Sequence, residues 1–504
     1  MILRDIIELL GGDVVAAYGD GAYAPSGVAC DHRKVAPGGL FVCIEGFVAD
    51  GHNFAAGAIE NGAAVIITQK PAVNLNLPQG VKPAALIQVK DSRKALAAAA
   101  QLFYGEPTKK LSLAGITGTK GKTTTVYMIR SILQAAGIKT GMVGTIENDV
   151  GGEITEAAET TPESVELAAI FSKMLKNGCS HAVMEVSSQG LALSRVGYCD
   201  FDIGVFLNLY KDHISPHEHA NIDEYFAAKK KLFGMCKNAV INGDAAECGA
   251  VGEMFAKNGG RGAALIYSAD ESDINHARAD VRASGIELLR GRGAHTRFNA
   301  ETPWFNETVT LGLPGRYNVS NALAAISVCG LLGIPKSAIA EGLRNAKVRG
   351  RTQAVDAGQD FTVLVDYAHN AASLEALLNM LREYRFTSIT TVFGCGGNRA
   401  RDRRFDMGEV SGRLSDFTIV TSDNPRKEAP GLIIADIETG LRRTNGKYIR
   451  IEDRREAIGY AINNAAKGDL VLIAGKGHET GQTFADRTVP FDDVTVASEF
   501  ILAK

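Results

Sequence analysis

The chain has 504 residues, and at about 150 residues per domain this length calls for roughly three domains and several buried cores. Apolar residues make up 45% and charged residues 22%, which excludes wholesale disorder. Lys plus Arg number 54 against 57 for Asp plus Glu, a formal charge of −3. Such a balance offers no global field for a nucleic acid or a membrane surface, so anionic ligands must be met by local basic residues.

The opening MILRDIIELLGGD reads as a short amphipathic helix with acids inside it rather than a signal peptide. No stretch approaches the roughly 18–20 consecutive apolar residues that span a bilayer. The cysteines at 30, 43, 179, 199, 236, 248, 329 and 395 are scattered, without a CxxC pair, and Cys43 and Cys329 lie in apolar runs as reduced core thiols do. The expected compartment is the cytoplasm.

Along the chain, apolar runs at 64–68, 85–89, 111–116, 182–186, 203–207, 361–365, 389–393, 417–420 and 470–474 read as strands. Helical segments at 92–104, 122–136, 164–177, 321–332 and 371–384 lie between many of them. This alternation predicts an α/β protein with mostly parallel sheets covered on both faces, whose ligands gather beyond the carboxyl ends of the strands. The loops at those ends read TGTKGKTTT, SSQG, NLYKDH, DYAHN, GCGGNR, TSDNPR and GKGHE. Loops this rich in phosphate, metal and carboxylate partners point to an enzyme. Residues 266–313 alternate differently and predict antiparallel hairpins. Breaks near 107–110 and 346–358 delimit three expected domains: a smaller N-terminal α/β domain at 1–108, a central P-loop-type domain at 109–347 and a C-terminal Rossmann-like domain at 348–504.

Gly118, Thr119, Lys120, Gly121, Lys122, Thr123 and Thr124 come directly after one strand and open a helix. Backbone N–H groups in such a turn cradle phosphates, Lys122 reaches the β- and γ-phosphates, and the Thr123 hydroxyl suits Mg²⁺. Ile116 stands where the strict P-loop pattern has glycine. ATP binding is the first expectation.

GITGTKGKTTT, TTPE (160–163), MEVSSQG (184–190), NLYKDH (208–213), YFAAKKKLF (225–233), LPGRYNVSNALAA (313–325), GRT (350–352) and DYAHN (366–370) together resemble the Mur ligases, in the same order. GLFVCIEGFVADGHNF near the start and DNPR and GKGHE near the end narrow the resemblance to the MurE type. That type adds the third residue of the peptidoglycan stem peptide.

The resemblance implies roles, residue by residue. Glu185 and His213, with Thr123, help hold Mg²⁺ beside the ATP phosphates. Lys229, which alone reads as part of a solvated basic helix face, matches a lysine that takes up CO₂ to become a carbamate ligand; Lys230 and Lys231 keep the solvated reading. HISPHEH invites a zinc assignment, but Pro216 interrupts its spacing and no cysteine is near, so His217 and His219 read as solvent-facing. Asn318 matches an adenine contact, Arg351 a phosphate contact and Asp366 a ribose contact, which would let ATP bridge two domains. Thr160, Thr161, Ser187 and Arg195 match contacts to the UDP-N-acetylmuramoyl dipeptide. His32 in DHR and Leu193 depart from the usual wording there.

In the C-terminal domain Arg399, Asp423, Asn424, Pro425, Arg426, Gly475 and Glu479 match contacts to the incoming amino acid. An arginine in DNPR favours meso-diaminopimelate, whose distal carboxylate lysine lacks; Glu479 suits the distal ammonium. Alone, DNPR reads as an Asx/Pro turn. Lysine or another diamino acid remains an alternative acceptor, and a folylpolyglutamate-type ligase or a nucleotide-binding protein without chemistry are alternative classes. The implied reaction is ATP-dependent amide ligation through an acyl phosphate by a monomer, with neither nucleic acid nor membrane as partner.

Overall fold

The fold is that of a computed structural model, which describes residues 1–75, 77, 83–212, 214–215, 218–258, 260–291 and 293–504. The chain divides into two compact units, Met1–Tyr267 and Ser268–Lys504. The boundaries expected at 108/109 and 347/348 both fall inside these units. Among the described residues no helix is long and apolar enough to cross a membrane.

The first unit carries two sheets. One runs in the order Val14–Gly19, Ala85–Val89, Val65–Thr68, Leu40–Val42, Val28–Ala29, with only the Val14–Gly19 edge antiparallel. The other has Ser112–Thr117 at its centre, paired in parallel with His181–Glu185 on one side and Phe201–Phe206 on the other. Thr140–Val143 lies beyond His181–Glu185, and Cys236–Asn242 beyond Phe201–Phe206. Glu185 pairs with Ile116 and Phe206 with Thr117, so the loops after all three strands leave at one sheet edge.

The second unit opens with the expected antiparallel meander, Val281–Leu289, His295–Glu301 and Asn306–Leu311. A six-stranded sheet comes next, in the order Gln353–Ala354, Thr362–Asp366, Leu470–Ala474, Ile389–Phe393, Phe417–Val420, Tyr448–Arg450. Thr362–Asp366 and Leu470–Ala474 are buried at every position, as parallel strands with both faces covered require. Asp366 and Phe393 both pair with Ala474, which again brings the loops after neighbouring strands to one edge. The helix expected from 321 begins earlier, at Arg316, because its exposed first residues Arg316 and Tyr317 carry no apolar signal.

Candidate active site

In the first unit the phosphate loop is braced from two sides. Gly121, at φ 88°, takes the left-handed conformation a side chain disfavours and starts the helix Lys122–Ala135. Asn208, just past the neighbouring strand, accepts at Oδ1 from the N–H groups of Thr119 (3.1 Å) and Lys120 (2.9 Å) and donates to Lys120 O at 3.1 Å. Lys122 Nζ donates to the carbonyls of Gly118 (2.8 Å) and Thr119 (3.1 Å), so its ammonium lies over its own loop. Burial pushes the Lys122 pKa down, against the pull of Glu185.

Glu185 is buried, and its carboxylate receives Thr123 Oγ1 at 2.9 Å and the Thr145 N–H at 2.8 Å on Oε1, with Thr145 Oγ1 at 3.1 Å on Oε2. Two candidate metal donors, Thr123 and Glu185, are therefore in direct contact. Thr124 is half-buried in the same first turn. Lys229 is 1% exposed, which overrides the solvated reading that its KKK setting suggests. Its Nζ donates to Gly118 O at 3.0 Å and lies 4.3 Å from the centre of the Tyr225 ring. Burial, assisted by the Lys122 charge, pulls its pKa down to about 6. Lys122 and Lys229 thus share one carbonyl. His213 and His217 lie outside the described residues. His219, expected to face solvent, is instead 2% exposed, with Nε2 2.9 Å from Ser188 Oγ and its ring packed on Tyr225. Among the described residues no group of three His, Cys, Asp or Glu forms a metal cluster.

The residues matched to the UDP substrate adjoin this carboxylate. Thr160 Oγ1 lies 3.0 Å from Thr145 Oγ1. Thr161, 1% exposed, donates to Glu185 O at 3.0 Å and accepts from Ser187 N at 3.0 Å, so its hydroxyl joins two loops. Ser187 caps the helix Ser188–Ala192. Arg195 is neutralised locally by Glu159 and by Glu163 at 3.6 Å, and also donates to Thr161 O at 2.9 Å. His32 stacks on Phe54 at 4.8 Å.

In the second unit Asp366 is buried and ties two loops together, accepting from Thr352 N at 2.6 Å and Ala368 N at 2.8 Å. Burial raises its pKa against these bonds and the Arg351 charge. The Arg351 guanidinium lies 5.0 Å from the centre of the Tyr367 ring, which also packs on His478 at 4.9 Å. Gly350, at φ 62°, approaches so closely that a Cβ would meet His478 N at 2.0 Å. Asn318 is 2% exposed, and its amide is engaged by Pro314 O (2.6 Å) and Asn321 Nδ2 (3.0 Å).

The loops expected to hold the amino acid also meet. Asn424 Nδ2 donates to Glu479 Oε2 at 2.7 Å. Asp423 is buried, and burial raises its pKa against the charges of Arg454 and Lys476. Gly475 N donates to Asp366 O at 3.1 Å, joining this group to the nucleotide-side loop. Pro425 is buried; Arg426 is half-buried at φ 53° and donates to Gly397 O at 2.8 Å, whereas Arg399 is exposed. Sequence reasoning missed Thr145, Asn208 and Lys476 as parts of the site. For Asn208 and Lys476 the signal was present, as each sits one or two residues past a strand whose loop was already singled out.

The Mur ligase middle domain model matches residues 116–329, the glutamate ligase domain model residues 350–477 and the Mur ligase family catalytic domain model residues 25–104. With phosphate loop, buried carboxylate and strand-end loops in place, the chain belongs to the Mur ligase family, ATP-dependent enzymes that form amide bonds. It is 42% identical over 497 residues to a UDP-N-acetylmuramoyl-L-alanyl-D-glutamate--2,6-diaminopimelate ligase of Caldanaerobacter subterraneus subsp. tengcongensis, covering 98% of each chain. A protein of the same description from Alkaliphilus metalliredigens is 42% identical over 501 residues, covering 99% of this chain and 97% of that one. A solved structure of a ligase so described aligns at TM-score 0.74 and 28% identity, over 100% of this chain and 99% of the other.

Proposed function

We propose that this chain joins meso-diaminopimelate to UDP-N-acetylmuramoyl-L-alanyl-D-glutamate at the expense of ATP, as a cytoplasmic step of peptidoglycan precursor synthesis. The observation that carries this reading is 42% identity across 98% of the chain to a ligase of that description. The three family matches at 25–104, 116–329 and 350–477 support domains at 1–108 for the UDP end, 109–347 for ATP and 348–504 for the amino acid.

The substrate's glutamyl γ-carboxylate attacks the γ-phosphorus of ATP, and ADP leaves. The acceptor amine then attacks the acyl phosphate carbon, forming the amide and releasing phosphate. The N–H groups of 118–124 bind the phosphates, and Lys122 offsets the charge that develops on them. Asn318, Arg351 and Asp366 contact the adenine, phosphate and ribose. Thr160, Thr161, Ser187 and Arg195 orient the UDP substrate. Arg399, Asp423, Asn424, Pro425, Arg426, Gly475 and Glu479 bind the amino acid, with Arg426 on the distal carboxylate.

The donor set of Thr123, Glu185, His213 and Lys229 as its carbamate suits Mg²⁺, which would neutralise phosphate charge. Lys229 is apt for carbamate formation because it is 1% exposed and its pKa falls to about 6, so its amine is neutral at pH 7. That amine attacks CO₂, and one N–H proton passes to solvent. The buried side chain then carries an anionic oxygen ligand in place of a neutral amine.

The test is phosphate release from ATP with the UDP-muramoyl dipeptide and diaminopimelate, lysine or ornithine in turn. Release with diaminopimelate is expected to exceed that with the other two. Lack of release with any of them rejects the ligase reading, and equal release with lysine rejects the acceptor assignment.

A further inference from the structure

Lys476 lies two residues beyond the strand Leu470–Ala474 and is fully buried, at 0% exposure. A buried ammonium is tolerable only when its three donors are met. Lys476 Nζ donates to Glu479 Oε2 at 3.0 Å, Asn424 Oδ1 at 3.1 Å and Gly481 O at 2.6 Å. Three donors meet three acceptors, so the ammonium has none left for a ligand. Its action must be on its partners.

Those partners are the residues that would recognise the amino acid. Asn424 Oδ1 accepts from Lys476 and from Thr483 N at 2.9 Å, which fixes the amide so that Nδ2 faces Glu479. Glu479 Oε2 therefore receives two bonds, while its Oε1 has no hydrogen bond among the described residues. Gly481 opens the short strand Gly481–Thr483, and Thr483 O accepts from Arg426 N at 3.0 Å. A single ammonium thus pins the carboxylate at Glu479, the amide at Asn424 and the strand on which the backbone of Arg426 rests.

We propose that Lys476 is a positioning residue that sets acceptor specificity by fixing Glu479 relative to Arg426. The acceptor it selects is an amino acid whose distal end carries both an ammonium and a carboxylate. This rests on the reading that the loops at 423–426 and 475–479 bind the amino acid.

The experiment compares the full-length wild type with Lys476→Met and Lys476→Arg, varying diaminopimelate, ATP and the UDP-muramoyl dipeptide separately. Lys476→Met is expected to raise KM for diaminopimelate by about tenfold or more, with the other two KM values within about twofold of wild type. Lys476→Arg, which keeps the charge but not the compact three-point geometry, is expected to show the same selective rise and serves if the Met variant does not fold. In a Glu479→Gln background the effect of Lys476→Met is expected to shrink to about threefold or less, because one variant has already removed what the other acts through. Equal rises in all three KM values, an unmoved diaminopimelate KM, or full additivity with Glu479→Gln would each overturn the proposal. A wild type inactive with every diamino acid would instead refute the functional reading on which it rests.

Discussion

Lys229 is a buried amine whose proposed role would set chemistry against folding. Its pKa falls from 10.5 to about 6, chiefly through burial. Below pH about 6 both folded and unfolded chains hold the proton, and the cost of burial is largest. Between about 6 and 10.5 only the unfolded chain holds it, so the cost shrinks as pH rises and is gone above 10.5. Lys229→Met is therefore expected to be inactive yet more heat-stable than wild type at pH 7 in CO₂-free buffer, by on the order of 1–3 kcal/mol. Calorimetry from pH 7 to 10 should find that the gap narrows; a gap that widens would contradict the buried-amine account. Gly118 O keeps its bond from Lys122 at 2.8 Å, so the substitution orphans no carbonyl. Restoring bicarbonate should raise wild-type activity and leave the variant inactive. At Arg426 the expected change is one of choice rather than stability. Arg426→Ala should cut the preference for diaminopimelate over lysine by about ten- to a hundredfold in kcat/KM, the loss of one charge-assisted fork. A competition assay with both acceptors reads this directly, and an unchanged ratio would remove Arg426 from acceptor selection.

At the scale of elements, the strands and the loops after them were legible because fully buried parallel strands leave short, unbroken apolar runs that end in polar turns. Ile389–Phe393, Phe417–Val420 and Leu470–Ala474 lie where those runs placed them. Register was not legible, and register decides who meets whom. Thr145 reaches Glu185 because Val143 pairs with Met184, a relation that no local pattern encodes. Lys229 and His219 were misread when taken alone, since the groups that meet them in the interior, Gly118 O for Lys229 and Ser188 Oγ for His219, come from distant parts of the chain. The same dependence makes Gly350 informative. An Ala there would set its Cβ 2.0 Å from His478 N and 2.3 Å from Gly477 C, both backbone atoms that cannot rotate away. The loop carrying Arg351 and the loop carrying Glu479 would be forced apart. Gly350→Ala is therefore expected to raise KM for ATP and for the amino acid together, by about tenfold or more each. Steady-state kinetics in each substrate would reveal a rise in only one of them, which would show that the two loops do not depend on their contact.

At the scale of the whole molecule, a near-neutral chain of net charge −3 can serve anionic ligands only through local cations, and part of that local charge is already matched. Arg195 is held by Glu159 and Glu163, and Lys120 lies 3.3 Å from Asp212, so an anionic ligand at either cation would compete with built-in carboxylates. One hydrophobic core runs across the expected domain boundary at 347/348. Leu288 and Ala294 from the antiparallel meander pack into the same core as Leu364, Leu374 and Leu472. Tyr384 is buried beneath that meander, its hydroxyl 3.1 Å from Thr296 Oγ1 and accepting from Gly315 N at 2.8 Å. Removing the hydroxyl leaves a buried N–H without its partner, a cost of about 1–3 kcal/mol. Because the meander and the six-stranded sheet share that core, the cost should fall on both. In Tyr384→Phe, hydrogen exchange is expected to quicken to a similar degree in His295–Glu301 and in Thr362–Asp366, with one calorimetric transition for Ser268–Lys504 shifted downward. If exchange quickened in the meander while the sheet kept its protection, residues 348–504 would be a separately folding body that the meander merely covers.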